Sequence, residues 1–277
     1  VTASNILGGV LTLLHYLIRS WTTSAWLIKN AREGDIIYLT GDFVSNTIPA
    51  WVIKQKIPKI KIVANFYHRN PPPHLRPGNP FIVSLLSRLL QSFSLHILKR
   101  IATKIFVLSK VGEEELIREG FKTDKIVISG AGVNPHRAVR KKKNQIIFVG
   151  RVNITKGAFD LIDIFSEVAR IEKSLNLVIV GGSSPEDKVE LKKRMSKYGL
   201  TKRVSYLGFV SEEKKRTLIS ESKVLALPSK EEGFGIVAME ALQLKTPVVC
   251  YDLPALKAVF SKFKAVYFVR CFNHDEF

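Results

Sequence analysis

The chain has 277 residues, enough for two domains, and 46% of them are hydrophobic against 24% charged. That balance excludes a disordered or fibrous protein, and two cysteines, Cys250 and Cys271, are too few for a disulfide framework and fit a reducing cytosol. A net charge of +19 implies an anionic partner: nucleic acid, a phosphorylated ligand or an anionic membrane face.

Residues Asn5 to Ile28 have the length of a membrane span, but His15 and Arg19 interrupt them. A charge at mid-depth costs about 2.5–3.5 kcal/mol. The stretch reads as a long helix packed on a sheet or lying at a membrane surface. An alternation follows. Asp35 to Leu39 is a strand, Pro49 to Lys54 begins a helix, and Ile60 to Ala64 is a second strand. Its loop carries His68 and runs into Pro71 to Pro73. Asn79-Pro80 caps a helix that reaches about Arg100, with Arg88, Lys99 and Arg100 on a basic side. Lys104 to Leu108 (strand), Val111 to Glu119 (helix) and Lys125 to Ile128 (strand) continue the pattern of a parallel sheet under helices.

Ser129 to Lys143 breaks the alternation with Gly130, Gly132, Pro135 and the bases Arg137, Arg140, Lys141, Lys142 and Lys143. The bases read as a solvated surface segment. The expected organisation is a first domain over 1–134, a linker over 135–144 and a second domain over 145–277.

The second alternation begins with strand Gln145 to Val149 and a helix ending near Ile171. Strand Leu177 to Val180, helix Pro185 to Tyr198, strand Val204 to Leu207 and helix Ser211 to Glu221 follow. Strand Val224 to Leu227 then enters the stretch Pro228 to Glu240. Pro247 to Cys250 and Ala265 to Val269 are further strands, with Pro254 to Phe260 between them.

Active groups in open parallel sheets collect at the carboxyl ends of strands. Four candidates fall there. In the first, Gly233 and Gly235 flank Phe234, so the backbone turns tightly and comes close to a ligand. Glu232 precedes the helix and Glu240 lies on it, with seven residues between them. Ile236, Met239, Ala241 and Leu242 are expected to form the core-facing stripe of that helix. In the second, Arg151 and Lys156 follow a strand between Gly150 and Gly157, and two fixed cations suit a diphosphate. The third is His68, whose neutral imidazole suits a sugar hydroxyl. The fourth is the turn Gly130 to Asn134.

Together these residues resemble the retaining nucleotide-sugar glycosyltransferases of family four. The resemblance is carried by Gly150-Arg151 through Lys156-Gly157, by Pro228-Ser229 through Glu232-Gly233-Phe234-Gly235 and Glu240, by Gly132-Val133-Asn134, and by His68. It runs in the same order over most of the chain. It implies the α/β GT-B fold: two Rossmann-like domains with parallel sheets facing across a cleft, donor mainly on the second and acceptor on the first. Carried over, Arg151 and Lys156 hold the donor diphosphate in place of a metal ion. Glu240 binds the ribose hydroxyls. Glu232, with Gly233 and the N–H groups of Phe234 and Gly235, orients the donor sugar. His68 contacts the sugar and stabilises the transition state. No cofactor or metal is expected. The implied donor is a UDP-, GDP- or ADP-sugar, and the acceptor a saccharide or lipid-linked molecule. Family members open with a strand and glycine-rich loop ahead of the strand at Asp35 and close with helices crossing back onto the first domain. The chain therefore reads as a fragment of a longer gene product. Leu244-Lys245-Thr246 stands where a glycine commonly precedes the Pro-Val-Val strand.

Two other readings compete. A basic nucleic-acid-binding module is opposed by scattered bases and by aromatics that do not interleave with a basic patch. A catalytically inactive glycosyltransferase-like fragment is opposed by the intact motif. The expected location is the cytoplasm, at the inner face of the membrane. There Arg69, Arg76, Arg88, Lys99 and Arg100 would each contribute about 1 kcal/mol against an anionic leaflet.

Overall fold

The structure is a computed structural model that describes residues 3–76, 80–134 and 141–277, with side chains from residue 14 onward. Asn79, the expected helix cap, and Pro135, Arg137 and Arg140 of the expected linker lie outside these residues. The chain divides into two compact units, Val1–Gly130 and Ala131–Phe277.

The first unit comprises α1 (Ala3–Asn30), β1 (Ile36–Leu39), α2 (Val44–Lys56), β2 (Lys61–Phe66), α3 (Phe81–Ile101), β3 (Lys104–Val107), α4 (Lys110–Arg118) and β4 (Ile126–Ile128). Its strands form a four-stranded parallel sheet in the order β1-β2-β3-β4. Alternate strand residues point to one core, where Ile62, Ala64 and Phe66 of β2 and Ile105 and Val107 of β3 meet Ile53, Leu95, Leu98 and Leu116. β2 runs two residues beyond the expected Ala64, because Asn65 and Phe66 pair in register with Phe106 and Val107. α2 starts at Val44 rather than at Pro49, which sits buried inside it. Pro49 forgoes the hydrogen bond to Ser45, but α2 packs against both α1 and α3 and continues through it, so the proline is no start signal here. α1 is a single long helix as expected, but it packs mainly on α2, and among its described side chains only Leu27 near its end joins the hydrophobic core. Leu17 and Trp21 are 64% and 74% exposed.

Among the described residues α3 is the one helix long and apolar enough to cross a membrane. Its last turns belong to the core through Leu95, Leu98 and Ile101, while Ile82, Leu86, Leu89 and Phe93 are exposed.

The second unit comprises β5 (Gln145–Val149), α5 (Ala158–Ile171), β6 (Asn176–Val180), α6 (Pro185–Lys197), β7 (Val204–Tyr206) and α7 (Glu212–Glu221). It continues through β8 (Val224–Leu227), α8 (Ile236–Gln243), β9 (Val248–Tyr251), α9 (Pro254–Phe260) and β10 (Val266–Val269). All six strands are parallel, in the order β10-β9-β8-β5-β6-β7. Both faces are covered, so neighbouring residues of one strand serve different cores. Phe148, Leu177 and Ile179 meet α5 and α6 through Phe159, Phe165 and Leu191. Ile147, Val178, Leu225 and Leu227 meet α7, α8 and α9 through Ile219, Ala238, Ala241 and Phe260. The chain winds outward from β5 in one direction and from β8 in the other. The loops after β5 and β8 therefore diverge at the switch point of the sheet, where a crevice for a ligand forms.

Candidate active site

The loop after β5 and the loop after β8 are stitched together. Gly157 caps α5 with a φ of 69°, and an ideal Cβ there would lie 2.0 Å from the carbonyl oxygen of Pro228. Only glycine meets both conditions. The Lys230 N–H donates to the Thr155 carbonyl at 2.8 Å. The Lys156 N–H donates to Asn153 Oδ1 at 2.8 Å, closing the turn that presents the lysine. Lys156 Nζ then reaches across to Glu232 Oε1 at 2.6 Å and to the Glu231 carbonyl at 3.3 Å. From behind, Lys230 Nζ pairs with Asp160 Oδ2 at 2.7 Å.

The glycine pair after Glu232 acts as the sequence pattern suggests. Phe234 is buried, edge-on to Phe260 with ring centroids 6.2 Å apart, and anchors the loop in the core. Gly235 caps α8 with a φ of 83°, and a Cβ there would lie 2.5 Å from Leu256 Cδ2. No acceptor for the N–H of Phe234 or Gly235 is found among the described residues. These donors stand at the positive end of α8.

Glu240 lies one turn further along. Its Oε1 accepts from Lys215 Nζ at 2.9 Å, and Lys215 also reaches Glu212 Oε2 at 2.9 Å. Burial draws the Lys215 ammonium down, but its bonds to Glu240 and Glu212 outweigh this and hold it above the ordinary value. Glu240 lines a cavity of about 150 Å³ together with Asn134, Glu212, Arg216, Ile236 and Gln243. Ile236, expected in the core, is 50% exposed and forms a wall of this cavity. It sits one turn before Glu240 on the same face of α8, while Ala238 and Ala241 face the core. The turn Gly132-Val133-Asn134 also lines the cavity and belongs to the second unit.

Arg151 follows β5, exposed, with no ion pair among the described residues. Its neighbour Gly150 is approached so closely by β6 that a Cβ on Gly181 would lie 1.9 Å from the Gly150 carbonyl oxygen. Lys156 and Glu232 are thus in contact and Glu240 is held by a different lysine, while Arg151 touches neither glutamate.

His68 belongs to the first unit, just beyond β2. The loop that carries it hangs on Gln91 of α3, which uses its whole amide. Gln91 Nε2 donates to Asp42 Oδ2 at 2.8 Å and to the His68 carbonyl at 2.9 Å. Gln91 Oε1 accepts from Arg69 Nη1 at 2.9 Å and from the Asn70 N–H at 2.8 Å. Burial pushes the Asp42 carboxyl above its usual range, against the hydrogen bond from Gln91. Sequence reasoning missed Lys215, Gln91 and Asp42. Gln91 left one signal, a polar residue on the face of α3 that also carries Leu95 and Leu98. Lys215 left none, because its partner Glu240 lies on another helix.

Residues 134–277, more than half of the chain, match the family described as glycosyl transferases group 1. The chain belongs to this family. The family match covers every site group of the second unit except Gly132 and Val133. Among its relatives, the α-D-kanosaminyltransferase of Streptomyces kanamyceticus is 32% identical over 108 residues, 39% of this chain and 28% of that protein. An uncharacterised glycosyltransferase of Methanocaldococcus jannaschii is 28% identical over 191 residues, 61% of this chain and 48% of that protein. The matches thus span less than half the length of these two relatives. The fold is GT-B, shared with solved glycosyltransferases. Anabaena HepE in complex with UDP and glucose superposes with a TM-score of 0.76 at 17% identity, covering 91% of this chain and 68% of that one. Sucrose-phosphate synthase of Thermosynechococcus elongatus gives 0.69 at 20% identity, covering 91% and 64%.

Proposed function

We propose that this group 1 chain belongs to a retaining, metal-independent glycosyltransferase that moves a sugar from a nucleoside diphosphate sugar to a saccharide or lipid-linked acceptor. The observation that carries the reading is the Lys156–Glu232 contact, which joins a cation and an acid from two loops at the switch point of the sheet. HepE, a fold neighbour, is described in complex with UDP and glucose, which supports a nucleotide-sugar donor.

In this reading Lys156 leaves Glu232 for the donor diphosphate, and Arg151 supplies the second cation. Charge develops on the leaving diphosphate as the bond to the anomeric carbon breaks, so these cations act where they gain most. Glu232 turns to a sugar hydroxyl, with the N–H groups of Phe234 and Gly235 beside it. Glu240 accepts from the ribose. The acceptor oxygen bonds to the anomeric carbon on the face the diphosphate leaves, and its proton passes to the departing phosphate. His68 is assigned to the donor sugar by the resemblance of its motif.

The exposed face of α3 and the +19 charge support a location on the cytoplasmic face of a membrane. Flotation with anionic vesicles should exceed flotation with neutral ones, and equal flotation would contradict this location.

A thermal-shift panel of UDP-, GDP- and ADP-sugars tests the donor reading, because a ligand that binds only the native state raises the melting temperature. One nucleotide series should stabilise the protein. No shift with any of them at millimolar concentration would reject it. The anomeric configuration of the product, read by NMR, tests retention.

A further inference from the structure

The acid assigned to the ribose does not stand alone. Arg216, Glu212, Lys215 and Glu240 form a run of alternating charge across α7 and α8: Arg216 to Glu212 at 3.7 Å, then Glu212 to Lys215 and Lys215 to Glu240, both at 2.9 Å. The Lys215 and Glu240 side chains are only 16% and 18% exposed, so this is no surface ion pair. An ion pair taken out of water must be held in good geometry to persist, and Glu212 holds Lys215 from the far side. Lys215 occupies Oε1 of Glu240, and Oε2 has no partner among the described residues. Glu240 and Glu212 both line the cavity of about 150 Å³. That volume is below the range of a whole-ligand pocket and suits one portion of a ligand.

We infer that Lys215 is the positioning residue of the nucleoside grip: it fixes the Glu240 carboxylate by one oxygen, leaving the other to the vicinal hydroxyls of a ribose. The inference rests on the proposed role of Glu240. It makes the ability to tell ribose from 2′-deoxyribose depend on a lysine that touches no substrate atom.

The ligands for the test are UDP and GDP, their 2′-deoxy counterparts and inorganic pyrophosphate, titrated calorimetrically into the wild type and into Lys215→Met, Lys215→Arg and Glu240→Ala. The wild type should prefer the ribonucleotide over its 2′-deoxy form by about tenfold, the scale of one hydrogen bond to a charged group. Lys215→Met should bring that ratio close to one and leave pyrophosphate affinity unchanged. Lys215→Arg should restore the preference. Loss of pyrophosphate affinity in Lys215→Met would overturn the inference, since damage to the fold would then account for the change. A ratio kept in Lys215→Met but lost in Glu240→Ala would also overturn it while sparing the role of Glu240. A wild type without any preference, matched by Glu240→Ala, would remove the role of Glu240 itself.

Discussion

The carbonyl oxygen of Pro228 fills the space where a side chain on Gly157 would begin, 2.0 Å from the ideal Cβ position. The two residues belong to different strand–helix loops, so the absent side chain lets the loop after β5 lie directly on the loop after β8. Gly157→Ala would add this overlap to a φ of 69°, a backbone conformation costing a non-glycine residue about 1 kcal/mol or more. The expected result is a loss of roughly 2–4 kcal/mol in urea unfolding, or no folded protein. An alanine variant with wild-type stability and nucleotide affinity would show that the loops tolerate separation.

Gln91 should act on turnover through His68. Gln91→Met removes all four amide hydrogen bonds and leaves Asp42 and the His68 carbonyl without that donor. Unmet buried polar groups cost about 1–3 kcal/mol each, so lower stability is expected as well. Stability loss alone is independent of His68. Adding Gln91→Met to His68→Ala should lower the turnover of folded enzyme little further, whereas independent effects would multiply. Full multiplication in a double-mutant cycle would detach Gln91 from His68.

Asp42 gives the first unit a pH dependence of definite sign. Burial raises its carboxyl above the ordinary 3.8, so the folded state holds the proton more tightly than the unfolded one. Between 3.8 and the raised folded value, folding takes up a proton. Stability from this group therefore falls as pH rises through that window and stays lower above it. Glu115 is raised by burial too and contributes the same sign. Asp42→Asn keeps an acceptor for Gln91 and loses the titration. Its stability relative to wild type should improve from pH 4 to pH 7 in urea midpoints, and a constant difference across that range would contradict the assignment.

Much of the second unit was legible because its signals are local. The apolar run Val224 to Leu227 and the glycines around Phe234 announce a buried strand and a tight turn within a dozen residues. The alternation of such units gave both parallel sheets. Pro49 misled because α2 packs against both α1 and α3, contacts that no local window displays. Ile236 misled because helical spacing does not say which face meets the core. Burial on α8 falls on Ala238 and Ala241, whose small side chains let the helix lie close to the sheet. The partners of Lys215 and Gln91 were hidden for a similar reason: Lys215 meets Glu240 on another helix, and Gln91, marked only as a polar residue on the core face of α3, meets Asp42 from 49 positions away.

The central claim is that a diphosphate binds where the loops after β5 and β8 meet, against Arg151 and Lys156. Its most direct test is calorimetric titration of UDP, GDP and ADP into the wild type and into an Arg151→Ala/Lys156→Ala double variant whose melting temperature matches it. At least one nucleotide should bind the wild type, and the variant should lose about 100-fold or more in its affinity, the scale of two charge-assisted hydrogen bonds in a shielded site. A folded double variant that binds the same nucleotide as tightly as the wild type would contradict the claim.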